Sequence, residues 1–245
     1  MTVPVPRKVL VTGGSRGIGA AVVHAFADRG ADVLFTYRAD AAAADRVATG
    51  TVGSPGSASP VRHALGDDPT DLVDAVAARL GGLDALVLNA AQWRGGRLGD
   101  TSEAEWWSLV ETNLRGSAQV VRATLDALTR STAGSITFVG SIVGQIGFAG
   151  DTAYASSKAA LVGLARSLAK ELGGQGVRVN VVAPGFIETD MSSEVSPAAR
   201  ERILQRSVLR RPGTPADVAD AVVFMSEDAH FATGVVLPID GGWSL

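Results

Sequence analysis

Tyr154 and Lys158 lie four residues apart in the stretch YASSK, inside a run whose apolar residues recur at helical spacing. Residues i and i+4 share one face of an α-helix, so the phenol and the ammonium group would lie about one turn apart. A free phenol has a pKa near ~10, which is too high for efficient proton exchange at neutral pH. A neighbouring cation favours the phenolate and lowers that pKa, so the pair is a candidate proton-transfer site. The same spacing also occurs on exposed helix faces.

The stretch TGGSRGIG, residues 12–19, follows a strand-like run and leads directly into a helical pattern. Its glycines Gly13, Gly17 and Gly19 permit a tight turn, and the N-terminus of the following helix attracts negative charge. This arrangement predicts a site for the pyrophosphate of a dinucleotide. Taken alone, it gives no information about the reaction.

The second predicted strand ends in FTYRAD, with Arg38 in place and no acid before Asp40. NAD sites commonly place an acid about 20 residues beyond the glycines. Arg38 and Arg16 would instead provide cations where the 2′-phosphate of NADP lies. We therefore predict NADP(H) as the cofactor. The alternative is that one or both arginines point to solvent.

Short apolar runs alternate with helical patterns along the chain, and runs without polar alternation are typical of strands buried in a parallel sheet. The predicted strands are Lys8–Thr12, Asp32–Tyr37, Val61–Leu65, Ala85–Leu88, Ser135–Gly140, Val177–Ala183 and Val235–Ile239. The predicted helices include Ile18–Arg29, Thr70–Leu80, Glu103–Arg130, Thr152–Leu172 and Pro215–Ser226. Within Ala39–Pro60 we predict a short helix and a flexible surface connection. The expectation is one α/β domain over residues 1–245, a Rossmann-like, doubly wound fold with about seven parallel strands and helices on both faces.

The composition excludes several classes of function. A net charge of −3, from 22 basic and 25 acidic residues, gives no basic field for nucleic acid or an anionic membrane. The absence of cysteine excludes thiolate catalysis and cysteine metal sites, and the three histidines have no metal-ligand spacing. No apolar run approaches the ~18 residues of a membrane span, and the run behind Arg7 and Lys8 is too short for a signal peptide. We expect a cytoplasmic protein without metal, nucleic-acid or membrane partners.

A series of motifs occurs in the order found in the short-chain dehydrogenase/reductase family, which the chain resembles over essentially its whole length. TGGSRGIG resembles the cofactor turn, and LVLNAA, residues 86–91, resembles the fourth-strand motif, with Ala91 where glycine is usual. ETNLRG contains Asn113, and GSIVG contains Ser141, which precedes Tyr154 by the 13 residues common in that family. YASSK resembles its Tyr-x-x-x-Lys motif. NVVAPGFIETDM is similar to the segment that passes the nicotinamide.

The resemblance implies catalytic roles for four residues. Tyr154 would be the general acid in ketone reduction and the base in alcohol oxidation, and the cofactor would supply or accept the hydride. Lys158 would also hold the hydroxyl groups of the nicotinamide ribose. Ser141 would hydrogen-bond the carbonyl oxygen and stabilise its developing charge. Asn113 would hold a water that relays protons through Lys158.

The resemblance also implies which residues hold the cofactor. Asn89 would fasten neighbouring strands or contact the adenosine ribose, and Asp68 would accept from the adenine amino group or cap the next helix. Ile187 and Thr189 would contact the nicotinamide carboxamide. The predicted cofactor-binding set is Gly13, Ser15, Arg16, Gly17, Ile18, Gly19, Arg38, Asp68, Asn89, Ala90, Tyr154, Lys158, Pro184, Gly185, Ile187 and Thr189.

Within the family, GFIETDM, RRPGTPADVADAVVFM and the closing DGGWSL are most similar to bacterial reductases of 3-oxoacyl groups on acyl carrier protein. Two arginines typical of carrier recognition in that group are replaced by Thr132 and Gln175. The predicted substrate loop, residues 186–211, mixes apolar and polar residues and would admit a moderately apolar ketone. The WRGG stretch at 93–96 is faintly similar to polyketide ketoreductases, which act on aromatic or polycyclic ketones.

Three functions remain open at this point. The first is an NADPH-dependent ketoreductase acting on a 3-oxoacyl thioester or a polyketide or other secondary-metabolite ketone, with acyl carrier protein as a possible partner. The second is an NAD-linked secondary alcohol dehydrogenase. The third is a dinucleotide sensor without catalysis, although such proteins commonly lose the tyrosine or the lysine. A homotetramer is expected, because the long fourth and fifth helices usually form an interface in this family.

Overall fold

The fold, a computed structural model that describes residues 7–245, is built on one parallel sheet. Within those residues the sheet has seven strands in the order β3-β2-β1-β4-β5-β6-β7. They are β1 (Lys8–Thr12), β2 (Asp32–Tyr37), β3 (Ser57–Arg62), β4 (Ala85–Leu88), β5 (Ser135–Val139), β6 (Arg178–Pro184) and β7 (Val236–Ile239). The strand order reverses between β1 and β4, so the carboxyl ends of these neighbours open a crevice of the kind that binds ligands.

Helices cover both faces of this sheet. They are α1 (Gly17–Asp28), α2 (Ala41–Gly50), α3 (Thr70–Leu80), α4 (Glu103–Val110), α5 (Gly116–Thr129), α6 (Val143–Ile146), α7 (Thr152–Leu172), α8 (Pro197–Arg206) and α9 (Pro215–Val223). Buried side chains of α1, α2 and α9 form one core, and those of α3, α5 and α7 form the other. The predicted doubly wound fold is confirmed. Residues 1–6, which the one-domain prediction includes, lie outside the described residues.

The central strands divide their side chains between the two cores. Val9 and Val11 of β1 belong to the α1 side, whereas Leu10 between them belongs to the α7 side. Alternate residues of a strand point to opposite faces, so a strand covered by helices on both faces needs an unbroken apolar run. This requirement explains why β1, β2 and β4 have the bounds predicted from sequence.

The third predicted strand, Val61–Leu65, was placed too late. The observed β3 begins at Ser57, inside the stretch predicted as a flexible connection, and Pro60 lies within it. Because β3 is the edge strand and pairs with β2 alone, a proline that lacks an N–H group is tolerated there. Its partly exposed side chains need not be apolar, which removed the sequence signal. The short helix predicted in the same stretch is confirmed as α2.

Two further differences concern helices near the substrate side. The predicted helix Glu103–Arg130 contains a π-helical turn, Glu111–Arg115, between α4 and α5. The predicted substrate loop, residues 186–211, contains α8. The side chain of Ser196 caps this helix by accepting from the N–H of Ala199, and Pro197 lies in its first turn. Over residues 7–245, every helix is too short or too polar to span a bilayer.

Candidate active site

The phenol of Tyr154 and the ammonium group of Lys158 face each other near the start of α7. The Nζ atom of Lys158 lies 5.6 Å from the centroid of the Tyr154 ring. The same Nζ donates to the carbonyl oxygen of Val139, the last residue of β5, at 2.8 Å. Lys158 is 3% exposed, so this bond anchors a buried cation at the carboxyl end of the sheet. The pairing predicted from the four-residue spacing is present.

Burial controls the ionisation of both groups. It raises the pKa of Tyr154, the negative charge of Asp151 raises it further, and a hydrogen bond with Ser141 lowers it. Burial also lowers the pKa of Lys158 from 10.5 to about 8. The pKa of the phenol is therefore raised in the chain by itself, whereas the four-residue spacing predicts that Lys158 lowers it. A protonated phenol is the form that donates a proton.

Ser141 lies two residues beyond the last residue of β5, beside the tyrosine. Its Oγ is half-buried and accepts from the backbone N–H of Val143 at 3.4 Å. A strand that ends at the carboxyl edge of the sheet delivers this hydroxyl to the same edge as the glycine turn. The hydroxyl of Ser141 and the phenol of Tyr154 therefore lie together, and two such donors can bind one carbonyl oxygen.

Asn113 joins the loop after β4 to α7. Its Oδ1 accepts from the N–H of Gln92 at 2.8 Å, and its Nδ2 donates to the carbonyl of Gln92 at 2.9 Å. The Nδ2 also donates to Oγ of Ser157 at 3.1 Å, and that hydroxyl donates to the carbonyl of Tyr154 at 2.7 Å. The π-helical turn turns this side chain inward, where it is 1% exposed. Sequence reasoning missed Gln92 and Ser157, although Ser157 stands within YASSK.

The glycine turn between β1 and α1 closes so tightly that side chains are excluded. Gly13 has a φ of 68°, in the left-handed region. A Cβ placed on Gly19 would lie 2.1 Å from the carbonyl oxygen of Gly13. The N–H of Gly13 donates to Oγ1 of Thr36, at the end of β2, at 2.9 Å. Over the described residues, no side chain caps the first turn of α1, so its N–H groups are available to an anion.

Asn89 and Ala90 fasten β4 to this turn. The Nδ2 of Asn89 donates to the carbonyls of Thr12 at 3.1 Å and Gly13 at 3.0 Å. The backbone N–H groups of Asn89 and Ala90 both donate to Oγ1 of Thr12, at 3.0 and 3.1 Å. Of the two roles considered for Asn89, the structure contains the fastening contact. Ser15 and Ile18 are half-buried in the same turn.

The segment after β6 approaches the glycine turn from the other side. A Cβ placed on Gly17 would lie 3.3 Å from Cγ2 of Thr189. Ile187 forms an isolated β-bridge with Gly213, and a Cβ on Gly185, next to Pro184, would lie 2.7 Å from Cα of Asp240. Of the predicted residues in this segment, Thr189 lies against the glycine turn, whereas Gly185 and Ile187 lie against Asp240 and Gly213.

The arginines and Asp68 lie at the exposed rim. Arg16 is 58% exposed and forms long ion pairs with Asp40 at 3.7 Å and Asp190 at 3.8 Å. The Arg38 side chain is exposed. Asp68 accepts from the N–H of Thr70 at 2.9 Å and from its hydroxyl at 2.6 Å, and these bonds lower the pKa of the carboxyl. Asp68 thus contacts the first residue of α3, whose N-cap is Pro69 without a side-chain cap.

Residues 13–244 match the family model described as enoyl-(acyl carrier protein) reductase. The 3-oxoacyl-[acyl-carrier-protein] reductase FabG of Vibrio cholerae is 37% identical over 234 residues, which cover 95% of each chain. FabG of Thermotoga maritima is 37% identical over 236 residues, which cover 95% of this chain and 96% of that relative. The crystal structure of a short-chain dehydrogenase from Burkholderia cenocepacia in complex with NADP has a TM-score of 0.90 and 36% identity, and 98% of each chain is covered. The chain therefore belongs to the short-chain dehydrogenase/reductase family of oxidoreductases.

Proposed function

We propose that this protein is an NADPH-dependent ketoreductase whose substrate is a 3-oxoacyl thioester or a related polyketide ketone. The observation that carries the proposal is the half-buried Tyr154 phenol, kept protonated beside Ser141 and Lys158 at the carboxyl edge of the sheet, where β1 and β4 open the crevice. The FabG relatives support a 3-oxoacyl substrate. A non-catalytic sensor would have no use for this preserved proton donor.

The residues of the chain supply the proton and the oxygen site. The Ser141 hydroxyl and the Tyr154 phenol donate hydrogen bonds to the substrate carbonyl oxygen and polarise it. NADPH, when bound, supplies the hydride that the carbonyl carbon accepts. Tyr154 then gives its proton to the oxygen, and the ammonium group of Lys158 stabilises the phenolate that forms. Asn113, through Ser157, holds α7 in register with the loop after β4.

The glycine turn fits the dinucleotide. Glycine at position 19, where a Cβ would overlap the backbone, keeps the turn tight. The uncapped N–H groups at the start of α1 can then bind a pyrophosphate. Two arginines at the rim favour the 2′-phosphate of NADP, and the NADP complex of the Burkholderia cenocepacia relative supports the same cofactor. Asp40 and Asp190 share Arg16, so they will reduce its contribution until the phosphate replaces them. We assign the cofactor contacts to the sixteen residues predicted from sequence.

The side chains around the predicted substrate loop favour an apolar ketone as the substrate. Tyr154 packs in a cluster with Phe186, Ile203 and Trp243. A cavity of about 510 Å³ lies behind them, between α8 and the C-terminal segment, with Leu204 and Leu209 in its wall. Apolar surface on both sides of the substrate loop suits an acyl chain or a ring system better than a sugar.

Carrier recognition and assembly complete the proposal. Thr132 and Gln175 lie just before β5 and β6, at the amino edge of the sheet, opposite the edge that holds Tyr154. Neither provides a cation for an acidic carrier, so we expect acyl carrier protein to be recognised weakly if at all. We expect a homotetramer whose interface uses the two long predicted helices. The first, Glu103–Arg130, corresponds to α4 and α5, and the second, Thr152–Leu172, is α7.

The decisive experiment follows NADPH oxidation with β-ketoacyl pantetheine thioesters, the same acyl groups on carrier protein, small β-ketoesters and polycyclic ketones. An enoyl thioester is included because the matching family model bears that name. Turnover of one or more ketones that depends on Tyr154 is expected, with a small difference between carrier and pantetheine forms. Turnover of the enoyl thioester alone, or of no ketone while the dinucleotide binds, would overturn the assignment.

A further inference from the structure

Asp151 is a half-buried carboxylate three residues before Tyr154, at the position that caps α7. Its backbone N–H donates to the carbonyl of Phe148 at 3.1 Å, and its carbonyl accepts from the N–H of Ala155 at 2.7 Å. Asp151 precedes the helix and has a non-helical backbone, with φ −125° and ψ 28°. Its half-buried carboxylate lies close enough to Tyr154 for its negative charge to raise the pKa of the phenol.

The indole of Trp93 fixes the position of this carboxylate. Its Nε1 donates to Oδ1 of Asp151 at 3.1 Å. The two loops that carry these residues are also joined, because the N–H of Gly96 donates to the carbonyl of Gly150 at 2.6 Å. A Cβ on Gly95 would lie 3.3 Å from the Trp93 ring, so the turn of WRGG is shaped around the indole. The loop after β4 and the loop before α7 form one wall, with Asp151 in it.

The other charged groups on the surrounding elements are either paired with a partner or exposed to solvent. Arg94, on the Trp93 loop, pairs with Glu105 of α4 at 2.6 Å, and Glu105 also accepts from the hydroxyl of Ser102. Arg97 and Glu103 are exposed, and residues 143–150 contain no titratable side chain. On α7 itself, Lys158 donates to the carbonyl of Val139. Asp151 is thus the carboxylate placed to act on the phenol.

We propose that Asp151, held by the indole of Trp93, is a positioning residue that keeps the phenol of Tyr154 protonated over a wider pH range and so lets ketone reduction continue at higher pH. The inference rests on the proposed function, in which Tyr154 is the proton donor. A fixed negative charge opposes the formation of a phenolate beside it. In agreement, the charge of Asp151 follows burial as a cause of the raised pKa of Tyr154.

The variant that tests this proposal is Asp151→Asn, which removes the charge and keeps a side-chain oxygen that can accept from Trp93. Asparagine is also a good residue at the start of a helix, so α7 is expected to keep its N-terminus. Removing the negative charge beside the phenol, in a partly desolvated site, should lower the pH at which Tyr154 ionises by about one unit. The alkaline limit of ketone reduction and the onset of alcohol oxidation should move down by the same amount. Asp151→Ser is the second neutral variant.

The ionisation can be observed without turnover, because the chain has only two tyrosines. In a Tyr37→Phe background, difluorotyrosine incorporated throughout labels Tyr154 alone, and its ¹⁹F resonance reports the phenol at a pH where the chain stays folded. The titration is done on the full chain with and without NADP⁺, alongside the pH dependence of kcat/KM for a ketone. Asp74→Asn, an equal charge change on the exposed face of α3, is the control.

Expected is a downward shift of the ¹⁹F titration in both neutral Asp151 variants and none in Asp74→Asn. A titration that moves by no more than the control, or moves upward, would overturn the inference even if ketones are reduced. A shifted titration in a chain that reduces no ketone would support the role of Asp151 and instead contradict the proposed function. Trp93→Phe should give a shift of the same sign and smaller size, because the carboxylate keeps its charge but loses its fixed position.

Discussion

At the level of single residues, the proposed reaction depends on the phenol of Tyr154, which desolvation keeps neutral. Burial raises the pKa of Tyr154 and lowers that of Lys158 to about 8, so the two groups resist the charges that the reaction must create between them. A donor that is protonated in the resting site needs no adjustment before it transfers a proton to an alkoxide. The reverse direction, alcohol oxidation, has to form the phenolate first and is therefore expected to need higher pH.

Replacing Tyr154 by phenylalanine tests the donor directly. Phe keeps the ring that packs with Phe186 and Trp243 but removes the hydroxyl, so the variant should fold and still bind the dinucleotide. General acid catalysis is worth roughly 10²–10⁴-fold, and kcat for a ketone should fall within that range. Steady-state kinetics on the variant, with cofactor binding followed by fluorescence, provides the measurement. Retention of most of the activity would show that another group gives the proton.

At the level of elements, sequence patterns predicted strands that are buried on both faces and failed where burial is partial. β1, β2 and β4 were predicted to the residue, since helices on both faces demand unbroken apolar runs. β3 was displaced because an edge strand tolerates Pro60 and polar side chains. The π-helical turn at 111–115 was missed because the apolar period of the long helix continues through it.

In the candidate site, too, local sequence patterns predict some residues, whereas contacts between distant residues are not visible in the sequence. Glycines and the Tyr-x-x-x-Lys spacing are local signals, so Gly13, Gly19, Tyr154 and Lys158 could be predicted from the chain alone. The contacts of Asn113 with Gln92 and Ser157 join residues 21 and 44 positions away, which no local pattern reports. Asp151 was missed for a similar reason, since a single acid in a loop carries meaning only once Trp93 and Tyr154 surround it.

We expect the turn after β1 and the end of β2 to determine which dinucleotide the chain prefers. Arg16 and Arg38 both lie at this rim, and hydrogen bonds to charged groups contribute about 1.5–3 kcal/mol each. Solvent and the acids paired with Arg16 will screen them, so we expect NADPH to be preferred on the order of 10- to 100-fold in kcat/KM. Arg38→Asp should reverse the preference, because it replaces a cation with a carboxylate that repels the 2′-phosphate. Equal efficiency of the unmutated chain with NADH would make Arg38 a solvated surface residue.

At the level of the whole molecule, the parallel sheet is what assembles the site. Motifs that are far apart in sequence all follow strands, and the carboxyl ends of parallel strands share one edge. The glycine turn follows β1, Asn89 follows β4, Ser141 follows β5 and Ile187 follows β6. The same assembly buries Lys158, and burial destabilises the charged form of its side chain.

That cost should appear as a pH dependence of stability. The pKa of Lys158 is 10.5 when exposed and about 8 in the fold, so between these values the unfolded chain binds more protons than the folded chain. Stability must therefore rise with pH in this window, and Lys158 should contribute about 2 kcal/mol between pH ~8 and ~10. Lys158→Met removes the titration, so its urea-unfolding free energy should lack this rise relative to the unmutated chain. Lys170→Met, an exposed lysine of the same helix, should retain it. Parallel pH profiles for the two variants would show that the buried ammonium group costs the fold nothing.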